Sequence, residues 1–317
     1  METKMNPRKV AVIGCGFVGS ATAFALMQSK LFSEMVLLDV DFDKADGEAM
    51  DIAHGVPFAG QMKIYAGNYE DIADAAIIIV TAGANQKPDE TRLDLVNKNV
   101  AVYKNIIPQI VKQGFEGILL VVSNPVDILT YAAVKLSGFA ENRVIGSGTV
   151  LDTARLKCAL SEHLGVDSRN LHSFIIGEHG DSEIAAWSST NVSGIPLDDF
   201  CEMRGHFNHA QAMREIAEEV KNSAYEIIEK KDATYYGIAM SVKRICESIV
   251  RDEKSILPVS AIMHGNYGIE GIALSMPAIV GANGVETHVP IALSDEEIES
   301  LHHSAETIKG IVSEINL

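Results

Sequence analysis

Positive charge is scarce in this chain: 26 lysines and arginines face 43 aspartates and glutamates, a net charge of −17. No run of Lys or Arg provides the basic footprint that nucleic-acid binding requires, so that class is excluded. The acidity does not identify a partner either. Glu215, Glu218, Glu219, Glu226 and Glu229 recur on the outer side of one helical stretch and read as a solvated face. Long apolar runs are missing as well. The run over residues 117–122 has the length of a core strand, well below the roughly 18 residues needed to cross a bilayer, so no membrane partner is expected. The opening Met-Glu-Thr-Lys-Met-Asn-Pro-Arg lacks the apolar centre of a secretory leader. Cysteine is sparse: Cys15, Cys158, Cys201 and Cys246 lie far apart with no Cys-x-x-Cys pair. They are expected to be reduced core thiols of a cytoplasmic protein. His-x-x-x-His spacing is absent, the adjacent His302 and His303 suggest no zinc site, and no metal is expected.

What the chain does have is core-forming material: 47% hydrophobic residues over 317 positions, enough for two domains or one large α/β unit. Strand-like segments at 9–13, 35–39, 62–65, 75–80 and 117–122 alternate with helical patterns at 18–28, 44–54 and after residue 92. This βαβαβ rhythm predicts an α/β fold with a doubly wound parallel sheet. Beyond about residue 150 the regularity fades. A helix fits 208–230 with Ile216, Val220, Ala224 and Ile227 inward, and residues 256–284 suggest an antiparallel addition. The last helix opens on a capping box, Ser294 with Glu297. With no repeat and no low-complexity linker, residues 1–149 and 150–317 are expected to form two domains packed as one body.

The first strand runs into Gly14-Cys15-Gly16-Phe17-Val18-Gly19, which opens the first helix. Glycines there permit a tight turn, close approach to a pyrophosphate and tight helix packing, while the helix N-terminus offers N–H groups to anions. Asp39 follows 20 residues after Gly19, at the end of the second strand. A carboxylate there accepts the ribose hydroxyls of NAD and repels the 2′-phosphate of NADP, so NAD is the expected cofactor. Lys44 is either an adenosine-side contact or an ordinary first-turn lysine.

Four further segments carry chemistry. The loop from Ala82 to Arg92 follows a buried strand, and it holds the uncharged amide of Gln86 and the cation of Arg92. In an open α/β sheet the carboxyl ends of strands face the ligand crevice. Asn124, in Ser123-Asn124-Pro125-Val126-Asp127, sits at another such end. Asp152 and Arg155 are three apart on a helical pattern, hence neighbours on one face. His179 stands between glycines in Gly177-Glu178-His179-Gly180-Asp181. Taken one at a time, each has an ordinary reading: a surface ion pair, a turn histidine, a turn-starting Asn. Their joint presence behind a dinucleotide motif is what points to catalysis.

These motifs, in this order from about Arg8 to the last helix, resemble the lactate/malate dehydrogenase superfamily, and within it the bacterial type of L-lactate dehydrogenase. The resemblance also covers Thr81-Ala82-Gly83-Ala84-Asn85-Gln86-Lys87-Pro88 and Leu151-Asp152-Thr153-Ala154-Arg155. It implies a Rossmann domain, a mixed α/β substrate-binding domain, NAD, and usually a homotetramer. It further implies that Thr81, Ala82, Gly83, Val122 and Asn124 line the cofactor, that Ile238 walls the nicotinamide, and that Thr234 lies beside the substrate side chain. His179 would be the acid toward pyruvate and the base toward lactate, because its proton affinity lies near neutrality. Asp152 would fix its tautomer, and Arg155 would clamp the substrate carboxylate with its planar fork. Arg92 would polarise the carbonyl as the loop closes. Asn124 would hydrogen-bond the same oxygen or hold His179.

Malate enzymes of this resemblance carry arginine where Gln86 stands. A neutral Gln leaves a second substrate carboxylate unpaired, a cost of several kcal/mol or on the order of a thousandfold in kcat/KM. Pyruvate is therefore expected over oxaloacetate. A malate or branched 2-keto-acid dehydrogenase stays open as an alternative, as does, from another class, a non-catalytic NAD-binding protein. Asp89 and Asp232 depart from glycines common in the family, and Asp tolerates left-handed backbone better than most residues. Bacterial members often bind fructose 1,6-bisphosphate through an Arg and a His, positions held here by Lys157 and His172. Those two are either an effector site or plain surface cations.

Overall fold

The computed structural model describes residues 5–84 and 91–317, and of Arg92 only the backbone. Gln86 and Asp89 therefore lie outside the described residues. The first half runs β1 (Asn6–Ile13), α1 (Phe17–Ser29), β2 (Glu34–Leu38), α2 (Phe42–His54), the single turn α3 (Val56–Ala59), β3 (Lys63–Ala66), β4 (Ala75–Val80), α4 (Arg92–Lys112), β5 (Ile118–Val121), α5 (Val126–Ser137) and β6 (Val144–Gly146). The six strands pair in parallel in the order β3-β2-β1-β4-β5-β6. This is the expected doubly wound α/β sheet.

Its strands are continuously apolar because both faces are covered. With a side-chain period of two, each strand divides its residues between two cores. Ala11, Ile13, Val36, Leu38, Ile78, Val80, Leu119 and Val121 belong to one. Val10, Val12, Met35, Leu37, Ile77, Ile79, Ile118 and Leu120 belong to the other. Helix α4 starts at a capping box, in which Thr91 Oγ1 accepts from the Asp94 N–H at 3.2 Å and Asp94 Oδ2 accepts from the Thr91 N–H at 3.0 Å.

The second half contains α6 (Val150–Leu164), short strands β7 (Leu171–His172), β8 (Ile175–Ile176), β9 (Ile184–Ala185), β10 (Asn191–Val192) and β11 (Ile195–Pro196), then α7 (Leu197–Met203), α8 (His209–Lys231), α9 (Tyr236–Val250), β12 (Ser255–His264), β13 (Glu270–Gly281), β14 (Gly284–His288) and α10 (Asp295–Glu314). The antiparallel addition is β12-β13-β14, and Ser260 of β12 pairs with Gly146 of β6. The late strands thus extend the parallel sheet instead of forming a separate one, covering what would otherwise be an open edge at β6. A third core, built on Leu156, Leu160, Leu164, Leu171, Val192, Met213, Ile216 and Val220, belongs to α6–α8 and the short strands.

Two expectations need correction. On α8, Met213, Ile216 and Val220 are buried, but Ile227 is 37% exposed. The helix outruns the third core, so its last turns stand off it. Cys15, Cys201 and Cys246 are buried thiols, whereas Cys158 is exposed. Leu156 and Leu160 turn inward on α6, and a residue two positions from each falls on the outer face. The α10 capping box forms as read, with Ser294 Oγ accepting from the Glu297 N–H at 3.2 Å and Glu297 Oε2 from the Ser294 N–H at 2.8 Å.

Candidate active site

At the carboxyl end of β1 the chain turns at Gly14 with φ +102°. A Cβ there would lie 2.5 Å from the Ala82 nitrogen, and one on Gly19 would lie 1.8 Å from the Gly14 carbonyl oxygen. Both positions therefore require glycine for packing. Gly16 differs: a Cβ on it would meet nothing within 4 Å. It is the N-cap of α1, with no side-chain cap and no acidic residue in the first turn. Open space before uncapped N–H groups is the cradle that a pyrophosphate fits. Thr81 Oγ1 donates to the Gly14 carbonyl at 2.7 Å and closes the turn from β4.

Asp39 is tied to this loop, its Oδ2 accepting from the Cys15 N–H at 2.6 Å and its Oδ1 from the Asp41 N–H at 3.1 Å. The carboxylate is thereby fixed beside the glycine turn, with lone pairs left for ribose hydroxyls. Lys44 is exposed on α2, and its N–H donates to Asp41 at 3.2 Å. Val18 and Ile238 pack on the same core from α1 and α9, next to buried Val122. The Phe17 ring stacks on Tyr235 at 5.4 Å, and Lys231 Nζ lies 3.4 Å from the centre of the Tyr235 ring. The glycine loop thus touches the α8–α9 connection, where Thr234 is half-buried. Asp232 ends α8 with φ +69°, the left-handed geometry its side chain tolerates.

The side chains read as catalytic converge on Asp152. Its Oδ1 accepts from Arg155 Nη1 at 2.6 Å and its Oδ2 pairs with His179 Nδ1 at 2.6 Å. Asp152 is 2% exposed, Arg155 16% and His179 25%. Burial alone would raise the Asp152 carboxyl, but the charges and hydrogen bonds of His179 and Arg155 outweigh it and hold the group below the usual carboxylate range. Burial alone would likewise lower the imidazole. The Asp152 charge and hydrogen bond, with Asp127 and Glu183 adding their fields, carry it up to about 9. At neutral pH the ring is therefore protonated, with Nδ1 on Asp152 and Nε2 left to face a ligand. Arg92 begins α4, while its side chain lies outside the described residues.

Asn124 lies in the loop after β5, as its motif suggested. It is exposed at a cis Asn124–Pro125 bond, and its carbonyl accepts from Asn99 Nδ2 at 2.7 Å. The His179 backbone is held by buried Asp127, whose Oδ2 accepts the His179 N–H at 2.8 Å and whose Oδ1 accepts from Ser275 Oγ at 2.9 Å. Asp127 is in the first turn of α5, facing the core, while Asn124 precedes that helix.

Residues 8–146 match the lactate/malate dehydrogenase NAD-binding domain, and residues 149–316 match the lactate/malate dehydrogenase alpha/beta C-terminal domain. The chain belongs to the lactate/malate dehydrogenase family. NAD is its cofactor. The L-lactate dehydrogenase of Acetivibrio thermocellus is 54% identical over 310 residues, covering 98% of each chain. L-lactate dehydrogenase 1 of Clostridium acetobutylicum is 53% identical, covering 97% of this chain and 98% of its own. Among solved structures, the minor L-lactate dehydrogenase of Enterococcus mundtii in its ligands-bound form superposes with a TM-score of 0.94 at 43% identity. That match covers 98% of this chain and 99% of the other.

Three residues of this family member escaped the sequence reading. Asn99 is one of them, on α4. It is 1% exposed, accepts from the Ala84 N–H at 2.7 Å and donates to the Asn124 carbonyl, tying the loop after β4 to the loop after β5. Asp127 stood in a quoted motif without a role. Glu183 carried no signal at all, yet its carboxylate and the ligand atoms of Asp152 and His179 lie within 4.8 Å of one another. Such a spacing would suit a cation, but both Asp152 oxygens are committed and Arg155 adds its own positive charge. The cluster is arranged to handle protons.

Proposed function

We propose that this chain is an NAD-dependent L-lactate dehydrogenase, interconverting pyruvate and lactate, with His179, Asp152 and Arg155 as its centre. The observation that carries the reading is the sharing of one buried carboxylate between an imidazole and a guanidinium, beside a glycine cradle for the dinucleotide. The names of the relatives at 50–54% identity support it.

Bound NADH supplies the hydride for reduction of the carbonyl carbon. As negative charge builds on the carbonyl oxygen, protonated His179 gives it a proton from Nε2, and Asp152 stabilises the ring throughout by accepting from Nδ1. In the opposite direction the neutral ring accepts the proton of the lactate hydroxyl. Arg155 spends one N–H on Asp152 and offers its remaining donors to the substrate carboxylate, a planar match that lysine lacks. Arg92 is assigned the polarisation of the carbonyl, and Thr234 a place beside the substrate methyl. Gln86, as a neutral amide, offers no partner to a second carboxylate.

Cofactor contacts are assigned to Gly14, Gly16, Phe17, Val18, Gly19, Asp39, Thr81, Ala82, Gly83, Val122 and Ile238, with residues 1–149 as the cofactor domain and 150–317 as the substrate domain. A homotetramer is assigned from the family resemblance, and the apolar side chains that α1–α3 leave uncovered, Phe24 at 50%, Met50 at 56% and Phe58 at 93% exposure, suit burial against another subunit. Effector binding by fructose 1,6-bisphosphate would engage half-buried Lys157 on α6 and exposed His172 on β7. One assay tests the whole reading: NADH oxidation with pyruvate, oxaloacetate and 2-ketoisocaproate side by side, with and without the sugar bisphosphate. Pyruvate should be preferred over oxaloacetate by on the order of a thousandfold in kcat/KM. Faster turnover of oxaloacetate at low concentrations of each would overturn it.

A further inference from the structure

A cavity of about 390 Å³ lies behind the catalytic cluster, lined by Ile175 of β8, Ala185 of β9, and Ala217, Glu218, Lys221 and Asn222 of α8. Glu183 is on its wall, one residue before β9, and the same side chain brings a carboxylate within 4.8 Å of the His179–Asp152 pair. The Glu183 N–H donates to the Gly180 carbonyl at 3.1 Å, which holds the residue on the loop that presents His179. A titratable group that touches both this cavity and the His179–Asp152 pair has no part in the mechanism above.

We propose that Glu183 is a positioning residue that sets the proton affinity of His179, exchanging its own proton with solvent through the cavity on α8. The inference rests on the reading of His179 as the acid–base group.

The charges facing this carboxylate come from several elements. Asp152 and Arg155 face it from α6, His179 from its own loop, and Lys221 from α8; Glu218 shares the cavity wall. Asp127 of α5 faces His179, and Asp181 is turned away to accept from Tyr225 Oη at 3.0 Å. Two carboxylates this close cannot both stay ionised at ordinary acidity unless each has its own cation. Asp152 has two committed partners, Arg155 and His179, so Glu183 holds the proton. Burial, with the Asp152 charge adding to it, pushes its carboxyl up to about 8, against the opposing pull of His179, Arg155 and Lys221. That value falls just below the His179 value, so the two groups titrate as a coupled set.

Near pH 7 a neutral Glu183 leaves the imidazolium to Asp152 and Asp127, and the acid is not held too tightly to donate. As pH rises, Glu183 loses its proton first, and the new negative charge keeps His179 protonated over a wider range. The alkaline limit of pyruvate reduction is then set by the pair.

The test is the pair Glu183→Gln and Glu183→Asp. Glu183→Gln stays neutral at every pH and should move the alkaline midpoint of kcat/KM for pyruvate down by about half a unit to one unit. The His179 ring titration, followed by NMR and assigned by its loss in His179→Asn, should move by the same amount with and without NADH. Glu183→Asp restores the titratable charge and should recover most of the shift, which a merely structural role would not do. In the unmodified protein, 13C NMR should show the Glu183 carboxyl titrating far above the ordinary range near 4.5. Midpoints unchanged in Glu183→Gln, or a Glu183 carboxyl titrating at its ordinary value, would overturn the proposal. If the ring titration moves while pyruvate is not turned over, the functional reading fails and this inference stands.

Discussion

Around the glycine loop the contacts are made by backbone. Gly14 and Gly19 are required because a carbonyl or an amide nitrogen occupies the space of a Cβ, and the Asp39 carboxylate is held by two N–H groups. Around His179 they are made by side chains. Asp152, Arg155, Asp127 and Glu183 arrive from three different stretches of chain, and their charges set one another's proton affinity. The first region depends on shape and has no room for an added atom at Gly14 or Gly19, while the second depends on charge and should tolerate isosteric replacement without loss of fold. Binding and chemistry should therefore be separable by mutation.

The largest test of that separation is His179→Asn. It keeps a similar volume but cannot carry the proton, so kcat for pyruvate should fall by about 10²–10⁴ while the NADH Kd, read by fluorescence, stays within about twofold. A parallel loss of NADH binding would erase the distinction between the regions. Next is Gly19→Ala. The Cβ would meet the Gly14 carbonyl at 1.8 Å, and with no room to relax, NADH binding should weaken by at least about a hundredfold, accompanied by a lower Tm. Gly16→Ala is the sharper control, since its Cβ meets nothing. It should leave Tm within about 2 °C and still weaken NADH by occupying the cradle. Asp39→Asn should reduce the preference for NADH over NADPH by about tenfold, because repulsion of the 2′-phosphate is removed while the hydrogen bond from Cys15 can persist.

The smallest effect is the pH dependence of stability. His179 is raised from 6.5 to about 9 by folding, so its contribution is complete below 6.5 and disappears as pH rises through 9. Asp152 is lowered from 3.8, so its contribution is present above that value and is lost as pH falls through the depressed one. Glu183, raised from 4.5 to about 8, adds a contribution that is complete below 4.5 and lost as pH rises through 8, so Tm should be highest near about pH 4 and fall by a few degrees toward pH 9, with a shallower alkaline decline in His179→Asn. An unchanged alkaline slope in that variant would mean that the pair contributes little to folding.

The parallel half of the fold was legible because its signals are local. Continuous apolar strands and the glycine turn each occupy a few consecutive residues, as does the capping box of α10 in the second half. The antiparallel strands were legible as a type but not as a location, since joining β6 through Ser260 and Gly146 is a contact 114 positions apart in the chain. On α8 the hydrophobic spacing runs beyond Val220, but burial stops there because the neighbouring core ends. In the site, the pairing of Asp152 with Arg155 followed from helical spacing. The bond of Asp127 to the His179 backbone, and the approach of Glu183, did not.

The amino-acid order alone determined what depends on neighbours along the chain: alternating strands and helices, the glycine turn, the carboxylate after β2 and the helix ends. These follow from steric and hydrogen-bonding rules that operate within a turn or two of backbone. Only the tertiary structure decided which carboxylate pairs with the imidazole, which one approaches that pair, and which sheet receives the late strands. Electrostatic coupling acts through space at a few ångströms, and separation along the sequence carries almost no record of it.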